Sequence, residues 1–155
     1  MNNLLTLIIF ATIAFLFAFR YPSASKVNWK EWNEAYEEAQ KSNKVILVDA
    51  YTDWCGWCKK MDRDTYSKAD IIKMVNKNFL PVKFNPEIQN ASYRVGEKEL
   101  SGPELLGALS GGQRVGYPTT FFLSVKKNAV NKVSGYKGPA DFLEILQEQE
   151  KWGNE

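Results

Sequence analysis

The stretch Val45 to Lys59, VILVDAYTDWCGWCK, decides how the rest of the chain is read. Val45, Ile46, Leu47 and Val48 form an unbroken, mostly β-branched run, the pattern of a strand buried on both faces and therefore central in its sheet. Asp49, Ala50 and Tyr51 lead out of it, and Cys55 and Cys58 follow, the only two cysteines in the chain. A buried strand that ends in a loop and then a Cys-x-x-Cys at a helix start points the first sulfur outward. There it lies above unsatisfied amide groups and the positive end of the helix dipole. Both effects favour the thiolate of Cys55, which makes it the expected nucleophile, with Cys58 one turn further in as the more shielded, resolving thiol. Trp54 and Trp57 wall the pair, either as packing or as a surface for substrate.

Two thiols can also be metal ligands or a staple. A tetrahedral zinc site needs about four ligands, and the chain has no histidine at all, so a metal would require carboxylates or a second chain. A disulfide across two intervening residues closes a very small loop and stabilises little through chain entropy. The reversible dithiol is the reading these limits favour, and it calls for no cofactor and no resident metal. The missing histidine also excludes Ser/His and Cys/His catalytic pairs.

Outward from this stretch, Asn28 and Glu31 resemble a capping box ahead of Trp29, Trp32, Tyr36 and Ala39 at helical spacing, which predicts a helix from about Trp29 to Ser42. Met61, Tyr66, Ile71, Ile72 and Val75 suit helical segments, with Ser67 and Asp70 as candidate caps. Leu80 to Phe84 reads as a strand with its proline near the start, where a missing donor is tolerated. From Asn85 to Arg114 the chain is rich in Gly, Ser, Pro and charge, with one short helix expected at Pro103 to Leu109. Thr119 to Leu123 and Val130 to Val133 read as strands around a turn at Lys127-Asn128, and Gly138-Pro139 opens a last helix. Early alternation followed by a late hairpin implies an α/β fold with a central mixed β-sheet flanked by helices on both faces.

The 155 residues fit one domain, and a net charge of +2 from 20 basic and 18 acidic side chains, scattered without a basic run, argues against nucleic acid as a partner. Leu4 to Phe19 is an apolar run of sixteen positions interrupted only by Thr6 and Thr12. As a helix it reaches about 24 Å, short of the ~30 Å hydrocarbon layer. Residues 1–25 are thus expected to be a signal peptide, with the small residues Ser23-Ala24-Ser25 at its end, or else a membrane anchor through residues 4–19. Residues 26–155 would form the folded domain.

VILVDAYTDWCGWCK, PVKFN and Gly116-Tyr117-Pro118-Thr119 together resemble the thioredoxin-like superfamily over most of residues 44–138. Asp49 to Cys55, Lys59 and Thr65-Tyr66-Ser67 are especially similar to the C-terminal thioredoxin-like domain of the bacterial transmembrane thiol:disulfide interchange reductase. The resemblance implies a thioredoxin fold and a thiol:disulfide oxidoreductase, mainly a disulfide reductase of exported proteins in the periplasm or cell envelope. It implies that Asp49 is the buried acid exchanging the proton of Cys58 and that Lys83 pairs with it. It also implies that Pro118 is cis, leaving the Tyr117 backbone for an extended substrate. Trp54, Gly56, Trp57, Tyr117 and Pro118 are the expected substrate-binding residues. Gly56-Trp57 places no histidine between the cysteines to stabilise a thiolate further, which favours reduction of substrates. A membrane-embedded thiol transporter is the implied electron donor. An isomerase or oxidase with the same site, and a non-catalytic chaperone or binding module, are the alternatives. The stretch 88–112 is longer than the corresponding link in plain thioredoxin and is expected to be an insertion.

Overall fold

The computed structural model describes residues 26–155, so the expected leader or anchor lies outside the described residues. In chain order the elements are α1 (Trp32–Ser42), β1 (Val45–Ala50), α2 (Gly56–Asp64), α3 (Ala69–Asn78), β2 (Phe79–Phe84), β3 (Tyr93–Val95), β4 (Lys98–Leu100), α4 (Gly102–Ser110), β5 (Thr119–Ser124), β6 (Ala129–Ser134) and α5 (Pro139–Asn154). β2, β1, β5 and β6 form a four-stranded sheet in that order. β1 runs parallel to β2 and antiparallel to β5, and β6 returns antiparallel to β5. The sheet is therefore mixed, as expected, and every residue of β1 is buried.

The two-residue period of β1 divides its side chains between two cores. Val45 and Leu47 join Met61, Ile71, Val75, Phe122 and Phe142 beneath α2, α3 and α5. Ile46, Val48 and Ala50 join Trp32, Ala35, Leu105 and Phe121 beneath α1 and α4. The same alternation assigns Asp49 to the first face, that of α2, and Lys83 of β2 is its partner in register. The site chemistry is thereby set at the end of the sheet where β1 delivers the chain into α2.

The start of α1 departs from expectation. The helix begins at Trp32, and Glu31 at its N-cap makes no side-chain cap. The expected first turn is drawn into other contacts: the Asn28 N–H, which Glu31 would have capped, donates to Asn76 Oδ1 (2.8 Å), and the Lys30 N–H donates to the Pro81 carbonyl (2.8 Å). Lys30 thereby forms a parallel bridge with Val82 on the outer side of β2. Ser67 likewise does not cap α3, because its hydroxyl donates back to the Arg63 carbonyl.

The stretch from Asn85 to Arg114 holds a β3–β4 hairpin and α4. The hairpin is fixed to α1 by side chains: Trp32 Nε1 donates to the Arg94 carbonyl (2.8 Å), Asn33 Oδ1 accepts from the Arg94 N–H (2.8 Å), and the Tyr36 hydroxyl accepts from the Gly96 N–H (3.2 Å). α4 opens on a capping box made by Ser101 and Glu104. Gly102 is required there, since a Cβ at this position would lie 2.3 Å from the Pro86 carbonyl oxygen. Leu105 and Leu109, inside the stretch expected to be an insertion, are buried in the core. No helix among the described residues is long and apolar enough to cross a membrane.

Candidate active site

Cys55 is the N-cap of α2, in an extended conformation that turns the chain from the loop into the helix, and its sulfur accepts the Cys58 N–H at 3.0 Å. This is one of the amide groups a helix start leaves without an internal partner. The two cysteines are joined in a disulfide with Cα atoms 5.3 Å apart. In this oxidised form the expected difference in shielding is nearly absent: Cys55 is 4% exposed and Cys58 3%. The tryptophans are the exposed large side chains of the motif, Trp54 at 69% and Trp57 at 59%, so neither is core packing.

Each tryptophan leans on an aromatic ring from a distant part of the chain. Trp54 meets Tyr117 edge to face at 5.9 Å, and its indole N–H donates to the Glu87 carboxylate at 3.1 and 3.3 Å. Trp57 lies against Tyr136 with ring centroids 5.6 Å apart. The Tyr117–Pro118 peptide bond is cis. Its loop is fixed by the Thr119 hydroxyl donating to the Gly116 carbonyl and by the Gly135 N–H donating to the Pro118 carbonyl, both at 2.8 Å. Gly56 leaves the surface between the cysteines open, with nothing within 4 Å of where a Cβ would stand.

Beneath the motif, Asp49 is 2% exposed and its Oδ2 lies 2.6 Å from Lys83 Nζ. Oδ1 of Asp49 is buried without a hydrogen-bond partner among the described residues. Burial pushes the Asp49 carboxyl above its ordinary range, and the neighbouring Lys83 ammonium offsets that only in part. For Lys83 burial pulls the other way, yet Asp49 and Asp62 outweigh it and hold the ammonium above its usual value. The ammonium is further enclosed by the rings of Trp29, Tyr51 and Tyr66, at 5.0, 5.2 and 5.4 Å from their centroids. Tyr66 is buried, and burial first, then the Asp49 charge, raises its phenol well above the ordinary value.

The structure thus gathers the sequence-derived residues in two layers. Cys55, Cys58, Trp54, Gly56, Trp57 and Tyr117 form the surface layer, with Pro118 fixing the Tyr117 loop, and Asp49 and Lys83 form the layer below. Sequence reasoning missed Asp62, whose carboxylate also contacts Lys83, although it stands one helical turn after Cys58, a spacing that places both on one side of α2. Glu87, Tyr51, Trp29 and Tyr136 were missed as well. Only the fold brings Glu87, Trp29 and Tyr136 to the site, with no local spacing to mark them, whereas Tyr51 lies within the motif stretch itself.

A family model named Thioredox_DsbH and described as "Protein of unknown function, DUF255" matches residues 16–149. The chain belongs to this family. Among curated relatives of the Thioredox_DsbH chain, the thiol:disulfide interchange protein DsbD of Yersinia pestis is 27% identical over 111 residues, 70% of this chain and 16% of the relative. Spermatogenesis-associated protein 20 of Mus musculus is 32% identical over 62 residues, 39% of this chain and 8% of the relative. The chain therefore spans less than a fifth of the length of either protein. Among solved structures, one titled "DsbH Oxidoreductase" superposes with a TM-score of 0.63 at 18% identity, covering 85% of this chain and 90% of that one. The oxidised C-terminal domain of DsbD from Neisseria meningitidis gives 0.54 at 18% identity, covering 75% and 90%. A thioredoxin from Thermus thermophilus gives 0.61 at 21% identity, covering 79% and 86%. The fold of this Thioredox_DsbH member is the thioredoxin fold, and its Cys-x-x-Cys stands as a disulfide at the start of α2.

Proposed function

We propose that the protein is a thiol:disulfide oxidoreductase that acts mainly as a reductase of disulfides in exported proteins. The observation that carries the reading is the Cys58 N–H directed at Cys55 Sγ at the start of α2, above a buried carboxyl with one unpartnered oxygen. In the reduced protein the Cys55 thiolate attacks one sulfur of a substrate disulfide. A bond forms between Cys55 and that sulfur as the substrate S–S bond breaks, and the other substrate sulfur leaves and takes up a proton. Cys58 then gives its proton to Asp49 and attacks Cys55, breaking the mixed disulfide. The second substrate thiolate departs and is protonated in turn. Two electrons pass to the substrate, and the protein is left with the Cys55–Cys58 disulfide.

Asp49 suits its part because burial raises its affinity for a proton, while Lys83 keeps the ionised form accessible. The cis Tyr117–Pro118 loop and the exposed faces of Trp54, Gly56 and Trp57 position an extended substrate segment. The apolar run Leu4 to Phe19 supports an exported protein, cleaved or membrane-anchored. A reductase outside the cytoplasm must be recharged, and a membrane-embedded thiol transporter is the proposed donor.

The test is the redox equilibrium of Cys55 and Cys58 in glutathione and dithiothreitol buffers, followed through tryptophan fluorescence. A reversible two-electron transition near the thioredoxin end of the scale, about −270 mV, is expected. A value near the oxidising end, about −120 mV, would make the protein a disulfide donor instead.

A further inference from the structure

The two aromatic ledges beside Cys55 carry opposite charge. On the Trp54 side the indole N–H is held by Glu87, so this ledge presents a carboxylate. On the Trp57 side, Lys60 Nζ stands 5.1 Å over the Tyr136 ring, and Gly56, Trp57, Lys60 and Arg63 line a surface depression of about 280 Å³.

The depression is cationic after its internal pairing is counted. Lys60 contacts Asp64, and Arg63 Nε lies 3.2 Å from the other oxygen of the same carboxylate. Two cations share one anion, leaving one positive charge unmatched in the trio. Arg63 is the free end of it: its side chain is 69% exposed, and only Nε is drawn to Asp64 among five guanidinium N–H donors. Trp57 supplies an apolar wall, and bare Gly56 keeps the path from the sulfur to the depression open.

We propose that this depression receives an acidic side chain of the disulfide-bearing polypeptide, so that the protein selects cystines with aspartate or glutamate on one side. The proposal rests on the reading of Cys55 and Cys58 as a substrate-reducing dithiol. Glu87 repels the same acid from the opposite ledge, and the charge pair therefore also sets the direction in which the substrate chain lies across the site. The reach follows from helix geometry. Lys60 and Arg63 lie about 7.5 and 12 Å along the α2 axis from Cys55 at ~1.5 Å per residue. An extended substrate covers ~3.3 Å per residue. The recognised acid thus stands about two to four residues from the attacked cysteine.

The experiment uses the full chain, reduced with dithiothreitol and freed of it, and three synthetic disulfide peptides carrying Glu, Gln or Lys three residues from the cystine. Protein oxidation is followed by tryptophan fluorescence. The Glu peptide is expected to react roughly two- to fivefold faster than the Gln peptide at low salt, with the Lys peptide slowest, as an exposed ion pair allows. The spread should collapse in 1 M salt, where the screening length is about 3 Å. In the Lys60→Gln/Arg63→Gln double variant the Glu-to-Gln rate ratio is expected to fall to about one, a ratio that is unaffected by any uniform loss of activity. Equal rates for the three peptides, or a preference that survives in the double variant, would overturn this proposal alone. Failure of every peptide to oxidise the protein would overturn the dithiol reading and this proposal with it.

Discussion

Asp49 and Lys83 are register partners on the adjacent parallel strands β1 and β2, and their charged groups meet at 2.6 Å beneath the Cys-x-x-Cys motif. The pair is buried on the Asp49 side and partly open on the Lys83 side, where Asp62 takes a share of the ammonium. Such a site works against the fold, because ionising Asp49 costs free energy that its single ion pair does not fully return.

Lys83 keeps Asp62 as a partner, so Asp49→Asn strands no unpaired cation and is expected to raise stability at pH 7, measured by urea unfolding. The sign follows from proton counting. The folded-state carboxyl titrates above its unfolded value of 3.8, so between those two values the folded form binds more protons than the unfolded one. Stability then falls as pH rises through that window, and the Asn variant should lose this slope. The same substitution should slow resolution of the mixed disulfide while leaving its formation intact.

Cys55→Ser is expected to abolish disulfide reduction. Cys58→Ser should still attack but fail to release, so mass spectrometry of the variant mixed with a peptide disulfide should find one covalent adduct on Cys55. Adduct formation by Cys55→Ser through Cys58 would reverse the two roles.

Trp57 is exposed, with the Tyr136 ring tilted against it, so its removal should leave the redox couple in place and weaken substrate capture. Trp57→Ala is expected to lower the second-order rate for a protein disulfide about two- to tenfold, with the reduction potential unchanged. A shifted potential with an unchanged rate would assign the ring to tuning the couple instead.

Gly102→Ala tests the junction between the β2 exit and α4. The added Cβ would fall 2.3 Å from a backbone oxygen that no side-chain rotation relieves. A loss of about 2–3 kcal/mol is expected in chemical denaturation.

How far the sequence could be read follows the range of the forces involved. The buried run Val45 to Val48 announces a central strand because period and composition are local, and the same strand carries Asp49 to its partner in β2. The cis bond at Pro118, implied by family resemblance, is where the structure has it. The false helix start at Asn28 arose because capping chemistry is also local, while the groups that claimed Asn28 and Lys30, Asn76 and Pro81, are remote. β3 and β4 have three residues each, too few for any alternation to register. Tyr136 carries no signature at all, since only the antiparallel return of β6 brings it beside Trp57.

The bridge from Lys30 to β2 bears on how copies of this chain avoid each other. β2 is an outer strand of the sheet, and an outer strand with free N–H and C=O groups invites a neighbouring molecule to add its own strand. Pro81 has no N–H to offer, and its carbonyl is already taken by the Lys30 N–H, so the middle of this rim is closed to recruitment. The hairpin is guarded similarly, by Asn33, Trp32 and Tyr36 of α1. Among the described residues no segment covers β6, the other outer strand of the main sheet, which carries Asn131 and Lys132 midway along its length. Strand addition by a second copy is thus opposed on one flank by the segment ahead of α1 and on the other by a charged side chain.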